Sequence, residues 1–243
     1  MALTWTVETF ESVDSTQDII KGYAEIGHPE GKVVQALEQL AGRGRHGRNW
    51  VSEKGNLYLS ALLRPACQAQ HIGQLSVLVS VALADTIRAH LKDPEALMLK
   101  WPNDVLIGEQ KCAGILIETA LSVGGAIEYA AVGIGVNLTS APPQIGAALN
   151  TYTKKPLKVA KFRDELLKNL NKTYVLWSRE GFEDIRGRWL EQAHKKGTNL
   201  RIKIGPQVET GIFYGLDEEG NLLLHDSNLR QKKVTAGEVY LIN

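Results

Sequence analysis

Glycine and arginine alternate through Gly42-Arg43-Gly44-Arg45-His46-Gly47-Arg48-Asn49-Trp50, the stretch of the chain densest in groups that could do chemistry. Glycines at this spacing let the backbone take positive φ and bring its N–H groups close to a ligand, while three arginines supply planar, permanently charged forks for carboxylate or phosphate. The pattern asks for an anionic guest. Gly42, Gly44 and Gly47 match the dinucleotide-binding fingerprint in letters, but that fingerprint must open a helix, and residues 48–55 are polar and unperiodic. No acidic residue stands about 20 positions further on to hold a ribose. The absence of a following Gly-Lys-Ser/Thr excludes a P-loop. A nucleic-acid patch is a further reading, for which a net charge of +1 is a weak electrostatic footprint. A solvated loop is the plain alternative.

The elements around this loop must position it. At 243 residues and 44% hydrophobic content the chain suits one large domain, or one domain with a small module. Its longest apolar runs, residues 113–117 and 130–136, fall short of the ~18 needed to span a membrane. Residues 1–10 lack a basic, cleavable leader, so a cytoplasmic location is expected. Cys67 and Cys112 show no metal or redox spacing and read as reduced thiols in or near a core, and six scattered histidines give no metal spacing either. No protein-bound metal site is expected.

In chain order, Trp5, Val7 and residues 8–10 alternate like an edge strand. Ser15 and Asp18 resemble a capping box opening a helix through Ile19, Ile20, Tyr23 and Ala24 that ends at Gly27. Residues 33–37 read as a strand. Residues 40–55 lack periodicity, and aperiodic stretches beyond about 12–15 residues are usually functional or disordered. Residues 56–63 return as a strand, and residues 75–87 repeat at helical spacing with apolar residues on more than one face. Residues 97–137 read as an antiparallel meander, punctuated by Lys100-Trp101-Pro102-Asn103-Asp104, Gly108-Glu109-Gln110 and Gly124-Gly125. Gly114, Gly133 and Gly135 lie inside its strands, where glycine is costly unless a ligand or another backbone comes close. They predict a pocket over the sheet face. A long amphipathic helix carries Val159, Phe162, Leu166, Leu170 and Tyr174, and a shorter one carries Phe182, Ile185 and Trp189. From Gly197 onward, short strands and tight turns, the last strand at residues 239–242, predict a small β-barrel that leans on the main domain.

Asp14-Ser15-Thr16, Gln39, residues 42–50, Lys100 to Asp104 and Lys111-Cys112-Ala113-Gly114-Ile115-Leu116-Ile117-Glu118, in that order, closely resemble the biotin protein ligases over essentially the whole chain. The resemblance implies an α+β fold: a mixed, largely antiparallel sheet with helices mainly on one side, akin to the class II aminoacyl-tRNA synthetase catalytic domain. It divides the chain into a catalytic domain at 1–196 and an SH3-like barrel at 197–243. The implied reaction joins biotin and ATP, with Mg²⁺, into biotinyl-5′-AMP, then passes biotin to a lysine of a carrier domain such as that of acetyl-CoA carboxylase. By resemblance, Ser15, Thr16 and Gln39 bind the ureido ring, Gly42 and Arg43 border the biotin, and Gly114 and Gly133 form the floor. Lys111 lies between carboxylate and phosphate, Arg45 retains the adenylate, and Lys111, Arg45 and Arg43 are the candidate catalytic cations. Trp50 stacks on adenine, with Arg48, Asn103 and Asn137 around the nucleotide and Asp104 near the phosphates.

Three positions depart from the family pattern. His46 stands where arginine is common and lowers the fixed charge of the loop at neutral pH, Gln17 replaces a frequent Asn, and Cys112 a larger aliphatic residue. Only 13 residues precede Asp14, too few for the helix-turn-helix of the repressor-type members, so no DNA binding is expected. A homodimer is compatible with the resemblance, and the 42–48 loop is expected to order over its ligand. A lipoate ligase and a non-catalytic binder of nucleic acid or acidic partners are the rival readings.

Overall fold

The structure, a computed structural model, describes residues 3–241. The chain opens with a strand-helix-strand unit: β1 (Thr6–Val13) runs parallel to β2 (Lys32–Gln39), and α1 (Thr16–Glu25) makes the crossover. After the aperiodic loop comes β3 (Leu57–Leu63), and then α2 (Ile72–Arg88). The meander follows as β4 (Leu97–Lys100), β5 (Asp104–Ile107), β6 (Gln110–Leu121) and β7 (Ile127–Val136). These strands form one seven-stranded sheet in the order β1-β2-β3-β7-β6-β5-β4, antiparallel everywhere except at β1-β2. The mixed, largely antiparallel sheet is thus as expected.

Period-two alternation decides what each sheet face meets. Val33, Ala61, Leu63, Ala130 and Val132 join the main core with α2, whereas their neighbours Val34, Leu62, Tyr129 and Ala131 pack with Ile20 and Ala24 of α1. Helices therefore cover both faces, the larger set on one side. α2 is apolar nearly all round because it lies between the sheet and α4 (Val159–Glu180), which follows the one-turn α3 (Leu149–Tyr152) and precedes α5 (Glu183–Glu191).

The capping box expected at Ser15 does not form. Ser15 occupies the N-cap position, but its side chain makes no capping bond. The Gln39 carboxamide at the end of β2 accepts from the Thr16 N–H at 2.9 Å instead, and Asp18 turns outward to Arg43. A partner from a neighbouring strand thus does the work expected of a local one.

The C-terminal segment forms a five-stranded antiparallel sheet: β8 (Asn199–Ile204), β9 (Gln207–Leu216), β10 (Leu222–His225), β11 (Gln231–Val234) and β12 (Glu238–Leu241), in the order β11-β10-β9-β8-β12. Ile242, the expected end of the last strand, lies outside the described residues. β11 escapes sequence reading because Gln231, Lys232 and Lys233 are exposed and only Val234 is buried, which leaves no apolar alternation to see. This sheet shares the main core through Leu200, Ile202, Phe213 and Val239. Trp101 Nε1 donates to Gly220 O at 3.0 Å, and Gln74 Nε2 to Glu218 O at 2.6 Å, fastening it to the β4–β5 turn and to α2.

Candidate functional site

The sheet face that carries α1 becomes a cleft beyond the N-terminus of α1. Ser60 pairs with Gly133, and Gly135 lies opposite both Tyr58 and Gly114, so three strands set small residues side by side. A Cβ on Gly135 would lie 2.6 Å from the Trp50 indole, one on Gly114 2.9 Å from Lys111 Cε, and one on Gly133 3.0 Å from the Gln17 carboxamide. Glycine is required because other side chains already lie on this floor. The cavity above measures about 380 Å³, within the range of small-molecule sites.

One end of the cleft is polar and neutral. Thr16 Oγ1 is 2.8 Å from Ser60 Oγ and donates to Gln39 Oε1 at 3.1 Å, while Gln39 Nε2 donates to Ser52 Oγ at 2.9 Å. Gln17 Nε2 donates to Glu118 Oε2 at 2.9 Å and to Ala131 O at 3.3 Å, which fixes the orientation of the amide. Its Oε1 is left buried beside Gly133 without a partner among the described residues. A buried, unpaired acceptor costs about 1–3 kcal/mol, a cost that a ligand N–H would relieve.

The other end is cationic. Lys111 Nζ lies 2.5 Å from Asp104 Oδ1 and 5.1 Å from the centre of the Trp50 ring, and Lys100 Nζ lies 3.9 Å from Asp104 Oδ2. Arg45 Nη1 donates to Asn103 Oδ1 at 3.2 Å and to Gly237 O at 3.3 Å. Burial lowers the Arg45 pKa against the pull of Asp104, and burial likewise lowers that of Lys100. Three cations here face one carboxylate, so anionic charge is favoured where they converge. Trp50 Nε1 is a second buried group without a partner among the described residues. Asn137, also buried, donates to Lys111 O at 3.3 Å and so braces the strand that presents Lys111.

Of the residues singled out in the sequence, Ser15, Thr16 and Gln39 gather at the neutral end, with Gly133 below them. Lys111, Arg45, Asn103, Asp104, Trp50, Gly114 and Asn137 gather toward the cationic end. Gly42 packs against Trp50 O and Ser52 Oγ, each 2.5 Å from where its Cβ would be, at the hinge of the loop. Two arginines on the lining are held by carboxylates rather than turned to the cationic pocket. Arg43 lines the cleft but clasps Asp18 of α1 with both Nη atoms, and Arg48 pairs with Glu238 of β12. Sequence reasoning missed Ser60, Lys100 and the contribution of Glu238, Val239 and Tyr240 to the wall, and it gave Gln17 no ligand role. Gln17 had a signal, its place beside Ser15 and Thr16 at a helix start. The β12 residues had none, because only the tertiary fold brings them to the loop.

Fold and cleft together define a member of the biotin/lipoate A/B protein ligase class: the sequence pattern of that family matches residues 9–137, and the pattern of the biotin protein ligase C terminal domain matches residues 197–242. Within the class, the chain belongs to the biotin protein ligases. It is 37% identical to a biotin--[acetyl-CoA-carboxylase] ligase of Paracoccus denitrificans, over 85% of this chain and 89% of that one. It is 32% identical to the bifunctional ligase/repressor BirA of Bacillus subtilis, over 94% of this chain and 72% of that one. The solved biotin protein ligase of Aquifex aeolicus in complex with biotin and ATP superposes with a TM-score of 0.81 at 28% identity, covering 98% of each chain.

Proposed function

We propose that this protein activates biotin with ATP and transfers it to a lysine of the biotin carrier domain of an acetyl-CoA carboxylase or similar carboxylase. The observation that carries this reading is the two-ended cleft, a neutral hydrogen-bonding seat joined across a glycine floor to a cationic pocket, with Lys111 at the junction. In the first step a biotin carboxylate oxygen attacks the α-phosphorus of ATP, the bond to the β-phosphate oxygen breaks, and pyrophosphate leaves. In the second, the carrier amine attacks the acyl carbon, AMP leaves, and the amide forms with loss of a proton. The first step brings carboxylate and phosphate charge together and the second builds negative charge on the acyl oxygen and the departing AMP, and fixed cations favour both. No nucleophile of this chain is needed.

On this reading Ser15, Thr16, Gln17 and Gln39 hold the ureido ring, Gly42 and Arg43 border the biotin, and Gly133 and Gly114 form the floor beneath it, Gly133 toward the ring and Gly114 toward the carboxylate. Lys111 bridges carboxylate and α-phosphate, Arg45 steadies the adenylate, Trp50 offers a face to adenine, and Arg48, Asn103 and Asn137 surround the nucleotide. Mg²⁺ enters on the ATP phosphates rather than in a cage of protein ligands. Asp104 is the carboxylate suited to share that ion, which would neutralise phosphate charge. A seat built to pair ureido N–H groups disfavours lipoate, which lacks them and would leave buried polar atoms unpaired.

We further take residues 1–196 and 197–243 as two domains that meet in one shared core, and the protein as a cytoplasmic enzyme that acts without DNA or membrane. Among the described residues no helix is long and apolar enough to cross a membrane. A homodimer built by sheet pairing would use β1 or β4, the two edges of the large sheet. Biotin-dependent ATP–pyrophosphate exchange tests the central reading. Exchange with biotin but not lipoate, lost in Lys111→Ala, is the expected result; exchange with lipoate alone would move the substrate, and none with either would end the ligase reading.

A further inference from the structure

We propose that Asp18 is a positioning residue that latches the arginine loop over the cleft by clasping Arg43, and thereby sets how tightly the carboxylic-acid substrate is held. The proposal rests on the ligase reading above and adds a residue which that reading does not use. Arg43 Nη1 and Nη2 donate to the two Asp18 oxygens at 2.8 and 2.5 Å, a bidentate pair that fixes orientation as well as distance. Arg43 is thus engaged within the chain itself, and its guanidinium is directed at α1 rather than at the cationic pocket.

Asp18 is itself held. Lys21 Nζ lies 3.7 Å from Asp18 Oδ1 and 3.0 Å from Glu118 Oε1, and Glu118 also accepts from Gln17, whose free Oε1 faces the neutral end of the cleft. A row of alternating charges therefore runs from Glu118 of β6, on the same sheet face as the floor, across the first turns of α1, to the loop above. The α1 residues that touch this row are neighbours of Thr16, so the seat of the ligand and the fastening of its cover stand on the same turn. The Asp18 carboxyl is held below its ordinary range, chiefly by the hydrogen bond from Arg43, which is consistent with a pair that stays formed at neutral pH. The alternative role for Asp18 is purely local, an acidic group in the first turn of a helix that complements the dipole.

The two roles predict different measurements. Both partners are more than a third exposed, so the latch is worth a modest factor and weakens with salt. Asp18→Asn is expected to raise the KM for biotin in pyrophosphate exchange about two- to fivefold, to leave kcat within about twofold, and to flatten the salt dependence of KM. It should also speed tryptic cleavage at the loop arginines of the unliganded protein, and Asp18→Glu should restore part of each effect. In an Arg43→Ala background, Asp18→Asn should add nothing. Additive effects in that background, or a lower Tm with unchanged KM and loop cleavage, would overturn the latch in favour of the helix-dipole role. Should the wild-type protein prove to activate another carboxylic acid, the cleavage arm still reads the latch, so the two failures are distinguishable.

Discussion

Gly135 and Gly133 lie two residues apart on one strand, yet a methyl group on each meets a different neighbour. On Gly135 it collides with the Trp50 indole, and on Gly133 with the Gln17 carboxamide and Leu116 O. Overpacking of this kind costs about 1–3 kcal/mol, and the cost falls on whichever group must move. Gly135→Ala is therefore expected to raise the KM for ATP about tenfold with little change for biotin, and Gly133→Ala to do the reverse. Steady-state exchange kinetics on the two variants check this, and equal effects on both substrates would show that the cleft does not divide at Lys111. The sequence showed both glycines as misfits inside strands. What it did not show is which side chain each accommodates, because Trp50 and Gln17 reach them from a loop and a helix far away in the chain.

Elements bring these side chains together, and their registers do most of the positioning. Gln39 ends β2 where it can cap α1, since its Oε1 accepts from both the N–H and the hydroxyl of Thr16. Gln39→Leu removes the acceptor of the Thr16 N–H, while the Thr16 hydroxyl keeps Ser60 Oγ, and is expected to lower stability by about 1–2 kcal/mol in denaturant titration, and to weaken biotin binding as well. Gln39→Glu, which keeps an acceptor, should recover most of the stability. Strands and helices with a clear apolar period were legible from the start: β2, β3, α2, the meander and α4 all stand where the pattern puts them. β11 and the one-turn α3 were not, the first for lack of buried residues and the second for lack of length. The loop was legible as functional by its glycines and arginines, but its fastenings were invisible, because Asp18, Asn103 and Glu238 lie in three different parts of the sequence.

At the scale of the molecule, the C-terminal sheet is bound into the core rather than appended to it. His194 sits at this junction, 7% exposed, edge-on to Phe213 with ring centres 6.4 Å apart, and its Nε2 is buried without a partner among the described residues. Burial, with a smaller contribution from Lys100, pulls its pKa below the ordinary histidine value. The unfolded chain then binds a proton at higher pH than the folded one, so stability is fully present above about pH 6.5 and falls as the pH drops through the folded value. Thermal unfolding followed between pH 7.5 and 5 should show Tm falling on the acid side, and His194→Phe should flatten that slope. An unchanged slope would place the acid sensitivity elsewhere.

The two-ended cleft also bears on how it could be blocked. A fragment that satisfies the neutral seat and another that fills the cationic pocket each pay the full entropic cost of binding, but a single molecule spanning the glycine floor pays it once. The second contact then acts at the effective concentration set by the tether, in the millimolar range for a short linker, and avidity rises by about 10² to 10⁴ with no new contact. Because Lys111 stands between the two ends, the linker that gains most is a short, uncharged or anionic isostere that cannot be cleaved by an amine. A longer tether loses this gain, so the dependence of inhibition on linker length would measure the span of the cleft in solution.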